Sequence, residues 1–334
     1  MKVALSPAIV AAVAVFALRG VSRAQQVPEQ SAPTSQAAVD SMTTTAAVHS
    51  PFGVRAGGAF APRSDLSGGG GVARDSWTAA ARVRVPLANN LFATAGASYT
   101  GAFYQFSGEP RIGGSDHPWS QVDKVTVSTG LLARIDARWS AFGGFRVNAS
   151  AETGADWGES FTYGGVAGAT YRFSDRLSLG LGIVAHSRLE EGALVFPFPV
   201  FTYVPPVDHD RWRLFCSASG IGGALGENGA GVAAGVAYAA TPKLTLAAGL
   251  SGLGLVNDFR LSPGAPVPGG VVRDHFTQLM VEADWRPLAG LSTAAFIGVD
   301  LPGKLDVLSR DGSTAYSSDF TATPVVGVTI EYRF

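Results

Sequence analysis

The chain closes on Phe320-Thr-Ala-Thr-Pro324-Val-Val-Gly-Val-Thr-Ile330-Glu-Tyr332-Arg-Phe334. Every even position is apolar. The odd positions are mostly small or polar: Thr321, Thr323, Gly327, Thr329, Glu331 and Arg333. A period of two predicts a strand with two unlike faces. Working back from this stretch, the same alternation recurs in about fourteen segments, each near the roughly 9–11 residues of a tilted membrane strand. They fall near 51–61, 76–87, 91–105, 124–139, 142–153, 160–173, 177–188, 194–204, 211–219, 230–239, 243–255, 275–285, 291–301 and 320–334.

The connections alternate in kind. One set is tight: Ala88-Asn89-Asn90, Ser140-Ala141, Ser174-Asp175-Arg176, Ala240-Thr241-Pro242 and Arg286 to Gly290, with Pro205 to Asp210 a longer member. These carry turn residues and predict hairpins. The other set is mostly long: Ser64 to Asp75, Ser107 to Asp123, Gly220 to Gly229, Ser262 to Arg273 and Pro302 to Asp319, with Leu189 to Gly192 as its short exception. Aromatic residues collect beside the tight turns: Trp139, Tyr171, Phe173, Tyr203, Trp212, Tyr238, Trp285, Tyr332 and Phe334. Short turns at one end, long loops at the other and an aromatic girdle predict an all-β, antiparallel, up-and-down transmembrane β-barrel of about 14 strands, with 12–16 as the range. A soluble sandwich accounts for aromatic strand ends. It does not account for terminal Phe334, or for outward Leu, Val and Ala on nearly every strand.

Bulk properties fit an exported chain. Lys2, the apolar run Ala8 to Leu18 and Ser22-Arg23-Ala24 read as a signal peptide over 1–24. Residues 25–50 are Gln, Ser, Thr, Ala and Pro without period, a disordered leader. The barrel is expected over 51–334. Only 15% of residues are charged and the formal net charge is −1, which gives no reason to expect nucleic acid. Cys216 is the single cysteine, so no intrachain disulfide or Cys-based metal site is expected.

A carboxyl-terminal strand that ends on Phe334, with Ile330 and Tyr332 at alternate places before it, resembles the closing strand of bacterial outer-membrane β-barrel proteins. The general look is that of porin- or transporter-like barrels grouped in uncharacterised families. The resemblance runs from about residue 51 to the end. It implies that the barrel-assembly machinery reads Ile330, Tyr332 and Phe334 during insertion, that outer-membrane lipid surrounds the protein, and that it resides in the bacterial outer membrane. It names no substrate. By strand number the chain is also similar to the fatty-acid channel class, whose amino-terminal hatch has no match here.

If the apolar parity faces lipid, the opposite parity lines the lumen. That face carries Arg55, Arg82, Arg84, Arg134, Asp136, Arg138, Arg146, Asn148 and Arg172, then Arg213 and Lys243. Late strands add Gln278, Glu282, Asp284 and Asp300, and the last adds Glu331 and Arg333. Two readings stay open. The charges form a basic wall facing an acidic one in a pore, whose field orients small solutes. Or they form paired networks that hold the lumen together.

Other motifs carry less. His49, His117, His186, His209 and His275 are scattered, so no metal motif and no cofactor is expected. Ser187 beside His186 lies on the opposite face of its strand, so no nucleophile–base pair forms. Gly68 to Gly71 lacks the Lys and following helix of a phosphate loop. Pro197 and Pro199 predict a bulge or a poorly paired stretch. The expected function is passage of a small solute through a charged lumen. A non-conducting structural or surface-interaction barrel is second, and an outer-membrane enzyme third.

Overall fold

The computed structural model describes residues 52–108, 112, 114–217, 232–253, 256–275 and 277–334. The signal-peptide and leader segments and the Gly220 to Gly229 loop lie outside these residues. Among the described residues eighteen strands form one sheet. The first ten are β1 (Phe52–Asp65), β2 (Gly71–Ala88), β3 (Leu91–Ser107), β4 (Gln121–Arg134), β5 (Trp139–Glu152), β6 (Phe161–Ser174), β7 (Leu177–Arg188), β8 (Glu191–Tyr203), β9 (Trp212–Ser217) and β10 (Val232–Thr241). Then come β11 (Leu244–Leu253), β12 (Val256–Arg260), β13 (Val271–His275), β14 (Gln278–Leu288), β15 (Leu291–Asp300), β16 (Gly303–Leu308), β17 (Thr314–Phe320) and β18 (Thr323–Arg333).

These make a closed antiparallel barrel of fourteen staves. From β1 to β11 each strand pairs with the next. Then β11 pairs β14, β14 pairs β15, β15 pairs β18, and β18 closes on β1. The last four staves are each broken in two: β11/β12, β13/β14, β15/β16 and β17/β18. Their outer pieces pair separately, β12 with β13, β13 with β16 and β16 with β17.

The alternation read from the sequence is the cause of the wall. On β18, Val326, Val328, Ile330 and Tyr332 are 42–52% exposed, whereas Val325 and Thr329 are 1% and 3%. The same division puts Leu131, Phe145, Leu181 and Ile297 outside. Turn-end aromatics pack against one another around the rim, Trp139 with Tyr171 (4.9 Å) and Tyr171 with Phe173 (4.8 Å) edge to face, and Trp212 with Tyr238 (4.7 Å) tilted. Exposed Phe60, Trp77, Phe103, Phe161 and Tyr163 make a second set toward the loop end.

Three expectations need correction. The turn between β4 and β5 lies at 135–138, not at Ser140-Ala141, and Trp139 begins β5. The Asp136 carboxylate accepts the N–H groups of Arg138 (2.6 Å) and Trp139 (2.7 Å), and this side-chain turn outcompetes the ladder. The stretch Pro302 to Asp319 is not a simple loop, because β16 and β17 occupy most of it, and β13 already begins at Val271, inside the stretch Ser262 to Arg273. Finally, Pro197 and Pro199 cause no bulge. They pair in register with Ile183 and Leu181 of β7. On the other side of β8 the described pairing covers Phe201–Tyr203, and the positions opposite the prolines lie outside the described residues.

Candidate functional site

The barrel interior and its loop-end mouth form the candidate site. The four broken staves bend along one line. Ser251, Gln278, Asp300 and Thr323 are successive cross-strand partners there. All four are buried, at 1–4% exposure. Beyond this polar row, β12, β13, β16 and β17 form a four-stranded flap. Its edge strand β12 meets β5 at Arg260 and Ala151. Around the barrel, β5 stands six staves from β11/β12 one way and eight the other. The flap therefore spans the mouth from wall to opposite wall.

An apolar core holds it there. Phe259, Val272, Leu305 and Val307 of the flap pack with Tyr104 and Phe106 of β3, Ile112 and Trp119 of the β3–β4 loop, and Val122 of β4. Trp119 meets Phe106 at 4.9 Å and Phe259 at 5.8 Å. Each such fully buried side chain contributes about 1.5–3 kcal/mol, which marks the flap as a packed cover rather than a loose loop.

Polar latches ring this core. The buried Arg260 guanidinium pairs with Glu190 (2.5 Å), and donates to the carbonyls of Glu159 (2.7 Å) and Gly269 (2.9 Å). Arg310 pairs with the Glu159 carboxylate. The Ser262 N–H donates to Glu152 (2.8 Å). Asp258 takes Arg273 (3.2 Å) and the Leu189 N–H (3.2 Å), and Lys124 donates to Asn257 (3.1 Å). The flap thus touches the β5–β6 loop and the β7–β8 turn as well as β4 and β5.

Inside, the sequence-derived charges occupy the face opposite the exposed apolar side chains, with three exceptions. Asp136 and Arg138 lie in the exposed β4–β5 turn and Lys243 in the exposed β10–β11 turn, rather than on a wall. Backbone donors hold the Asp136 carboxyl below the usual carboxylate range, and Arg138 donates to the Tyr171 hydroxyl (2.9 Å). Arg82 pairs with Glu331, which also holds Arg333 (2.6 Å) and lies cross-strand from Arg55. Acidic and basic groups are thus neighbours across the closing seam rather than facing walls. Asp284 pairs with Arg286 (2.8 Å) and accepts from Ser292. Lys243 donates to the Pro287 carbonyl (3.1 Å), and Asn90 to that of Arg134 (2.9 Å). Arg213 and Glu282 stand in one cross-strand row, separated by Ala237 and Ala247.

Arg84, Arg146 and Arg172 differ. None forms an ion pair among the described residues. Arg84 lies over the Phe92 ring at 4.5 Å, with Nε and Nη2 buried and unbonded. Arg146 lies over Gly164, whose other flank is His186. Between the charges the interior is apolar. Phe142, Val184, Phe198 and Val200 line one side, and Phe215, Met280, Phe296 and Val325 the other. Phe142 and Phe198 lie flat over their cross-strand glycines, Gly168 and Gly182, and so hug the wall.

The β1–β18 ladder lapses near the loop end. It runs from Gly53↔Arg333 to Phe60↔Val326. It resumes where the Thr321 N–H reaches the Asp65 carbonyl (3.0 Å) and the Ser64 hydroxyl the Thr321 carbonyl (2.7 Å). β1 also slips register against β2 between Ala61 and Ser64. Pro62 and Pro324 face this gap from its two edges, and neither has an N–H to give.

Several of these groups escaped the sequence reading. Arg74 lay in the predicted loop Ser64 to Asp75, although its even number gives it the inward parity of Arg82 and Arg84. Asp258, Arg260 and Arg273 follow no apolar period, so no signal singled them out.

No family model matches the sequence, and no curated protein matches it. Solved structures of similar form include an outer-membrane channel from Pseudomonas putida F1, at 11% identity over 88% of this chain and 98% of that one, TM-score 0.48. The P. putida toluene transporter TodX matches at 8% identity over 86% and 91%, TM-score 0.41. The translocator domain of the autotransporter NalP from Neisseria meningitidis matches at 13% identity over the whole of both chains, TM-score 0.33. At these identities and scores the likeness says nothing of solute or activity.

Proposed function

We propose that this barrel sits in the outer membrane of a bacterium and lets a small solute cross it. A closed cylinder whose outer face is apolar on nearly every stave has its edges joined and most of its ladder groups paired, as lipid requires. The tight turns and the ends of β1 and β18 then face the periplasm, and the flap faces outward. Lipid and, during insertion, the barrel-assembly machinery are its partners, with Ile330, Tyr332 and Phe334 as the signal that machinery reads.

The observation that carries the pore reading is the set Arg84, Arg146 and Arg172. A lumen sealed by ion pairs leaves no guanidinium without a carboxylate. Three such groups on β2, β5 and β6 need water or an anion as partner. Purified protein in planar bilayers tests this. Discrete conductance steps are expected, and none at all would sink it. The flap favours a second reading, a non-conducting barrel with a covered face. An Arg260→Ala barrel separates the two. Steps that appear only in this variant mean a closed cover over an open lumen, and silence in both means a sealed barrel.

A further inference from the structure

Behind the lapse in the β1–β18 ladder lies a recess of about 470 Å3, counting its open side. Its walls are apolar: Ala61, Pro62, Val72, Tyr104, Leu305 and Phe320. Its floor is charged. Arg74 holds Asp274 Oδ2 and Asp300 Oδ2, both at 2.8 Å, and both carboxylate side chains are 6% exposed. Gln278 donates to Asp300 Oδ1 (2.6 Å), so both oxygens of Asp300 are engaged. Asp274 is different. Its contacts use Oδ2 alone, and among the described residues nothing is bonded to Oδ1, although Asp274 lines the recess. Two buried carboxylates share one guanidinium. With both carboxylates ionised the floor holds one more than its guanidinium neutralises, and one acceptor opens on the recess, where a cation completes it.

We propose that this recess binds a small organic cation, a primary ammonium carried on an apolar body. The ammonium donates to Asp274 Oδ1 and neutralises the floor. The body lies against Val72 and Leu305, and the faces of Tyr104 and Phe320 add attraction for the cation. A neutral molecule of the same shape leaves the surplus charge uncompensated, and a carboxylate adds to it. Lining and floor come from β1, β2, β3, the flap and its fold line, so the recess exists only with the mouth covered. The assignment stands whether or not the barrel conducts.

Titration calorimetry on the full barrel in detergent tests it, with 2-phenylethylammonium, 2-phenylethanol and phenylacetate as probes. The ammonium is expected to bind, the alcohol about tenfold more weakly, and the carboxylate not at all, as loss of a charged hydrogen bond implies. Asp274→Asn keeps an oxygen for Arg74 and removes the charge. It should lower ammonium affinity about tenfold and leave the alcohol unchanged. Val72→Phe fills the recess without touching the floor, and should abolish binding of both. Trp119, 6.0 Å from Tyr104, gives a fluorescence readout of occupancy in the same samples. Absence of ammonium binding, equal affinity for ammonium and alcohol, or wild-type affinity in the Val72→Phe barrel overturns the proposal. Should Asp274→Asn fail to fold, the probe comparison and Val72→Phe decide it.

Discussion

The ring of Phe296 lies flat over Gly327, its cross-strand partner on β18, and occupies the space a Cβ would need. Glycine here is required by the aromatic ring and by the Gly58 carbonyl, 2.6 Å from the same point, not by a left-handed backbone. The pair repeats the packing of Phe142 on Gly168 and of Phe198 on Gly182. Large rings thereby lie along the wall and leave the lumen its width.

Gly327→Ala should therefore push Phe296 off the wall. Overpacking of this kind costs about 1–3 kcal/mol. The temperature at which the folded band of an unboiled gel converts to the unfolded one should fall, and Phe296→Ala in the same chain should restore part of the loss. An unchanged conversion temperature in the single variant would show that the ring does not depend on the glycine.

Arg260 anchors the flap to β5, the β5–β6 loop and the β7–β8 turn. Its truncation leaves the Glu159 and Gly269 carbonyls without their donor, at about 1–3 kcal/mol, while water can still reach the Glu190 carboxylate. Arg260→Ala should raise protease cleavage between 256 and 275 while the wall strands stay protected. Equal protection of the flap in both proteins would show that the apolar core alone holds it.

Arg146 and Arg172 should favour anions in a conducting barrel. Replacing both with Gln is expected to move the reversal potential in a salt gradient toward that of cations. A conducting barrel with unmoved selectivity would keep the pore and discard these residues as its lining.

The orientation can be read on intact cells. A tag at Gly114, in the β3–β4 loop, should be labelled from outside, and one after Asp175, in the β6–β7 turn, should not. The opposite pattern inverts the barrel.

Phe334 donates its N–H to the Phe52 carbonyl (3.0 Å), and its ring meets those of Tyr332 (4.8 Å) and Phe52 (5.5 Å). Its deletion should lower the yield of heat-modifiable barrel in outer-membrane fractions, through the assembly signal and through the seam it helps close. Undiminished yield argues against that signal.

The wall was legible because each stave has one face against an apolar surround and one against the lumen, so period two survives in the sequence. The flap was not. Val271, Val272, Arg273 and Asp274 are consecutive and all at most 4% exposed, and covering both faces erases the alternation. The turn at 135–138 was misplaced for a related reason. Ile135 and Trp139 keep the apolar parity, which hid the turn chemistry of Asp136. Among the charges, parity located Arg84 and Arg146 on their strands. The partners of Arg74 and Arg260 come from segments 200 and 101 residues away, and no local pattern announces such pairings.

The cover and the closing seam share their fastenings, and this orders events in time. Arg74 reaches Asp300 across 226 residues, and Ser64 reaches Thr321 across 257. Contacts of such span form late and slowly, because the intervening chain must first be ordered. The first two strands thus wait for the last ones. Until those contacts form the cylinder is both unjoined and uncovered, so joining of the wall and seating of the flap are expected to come together.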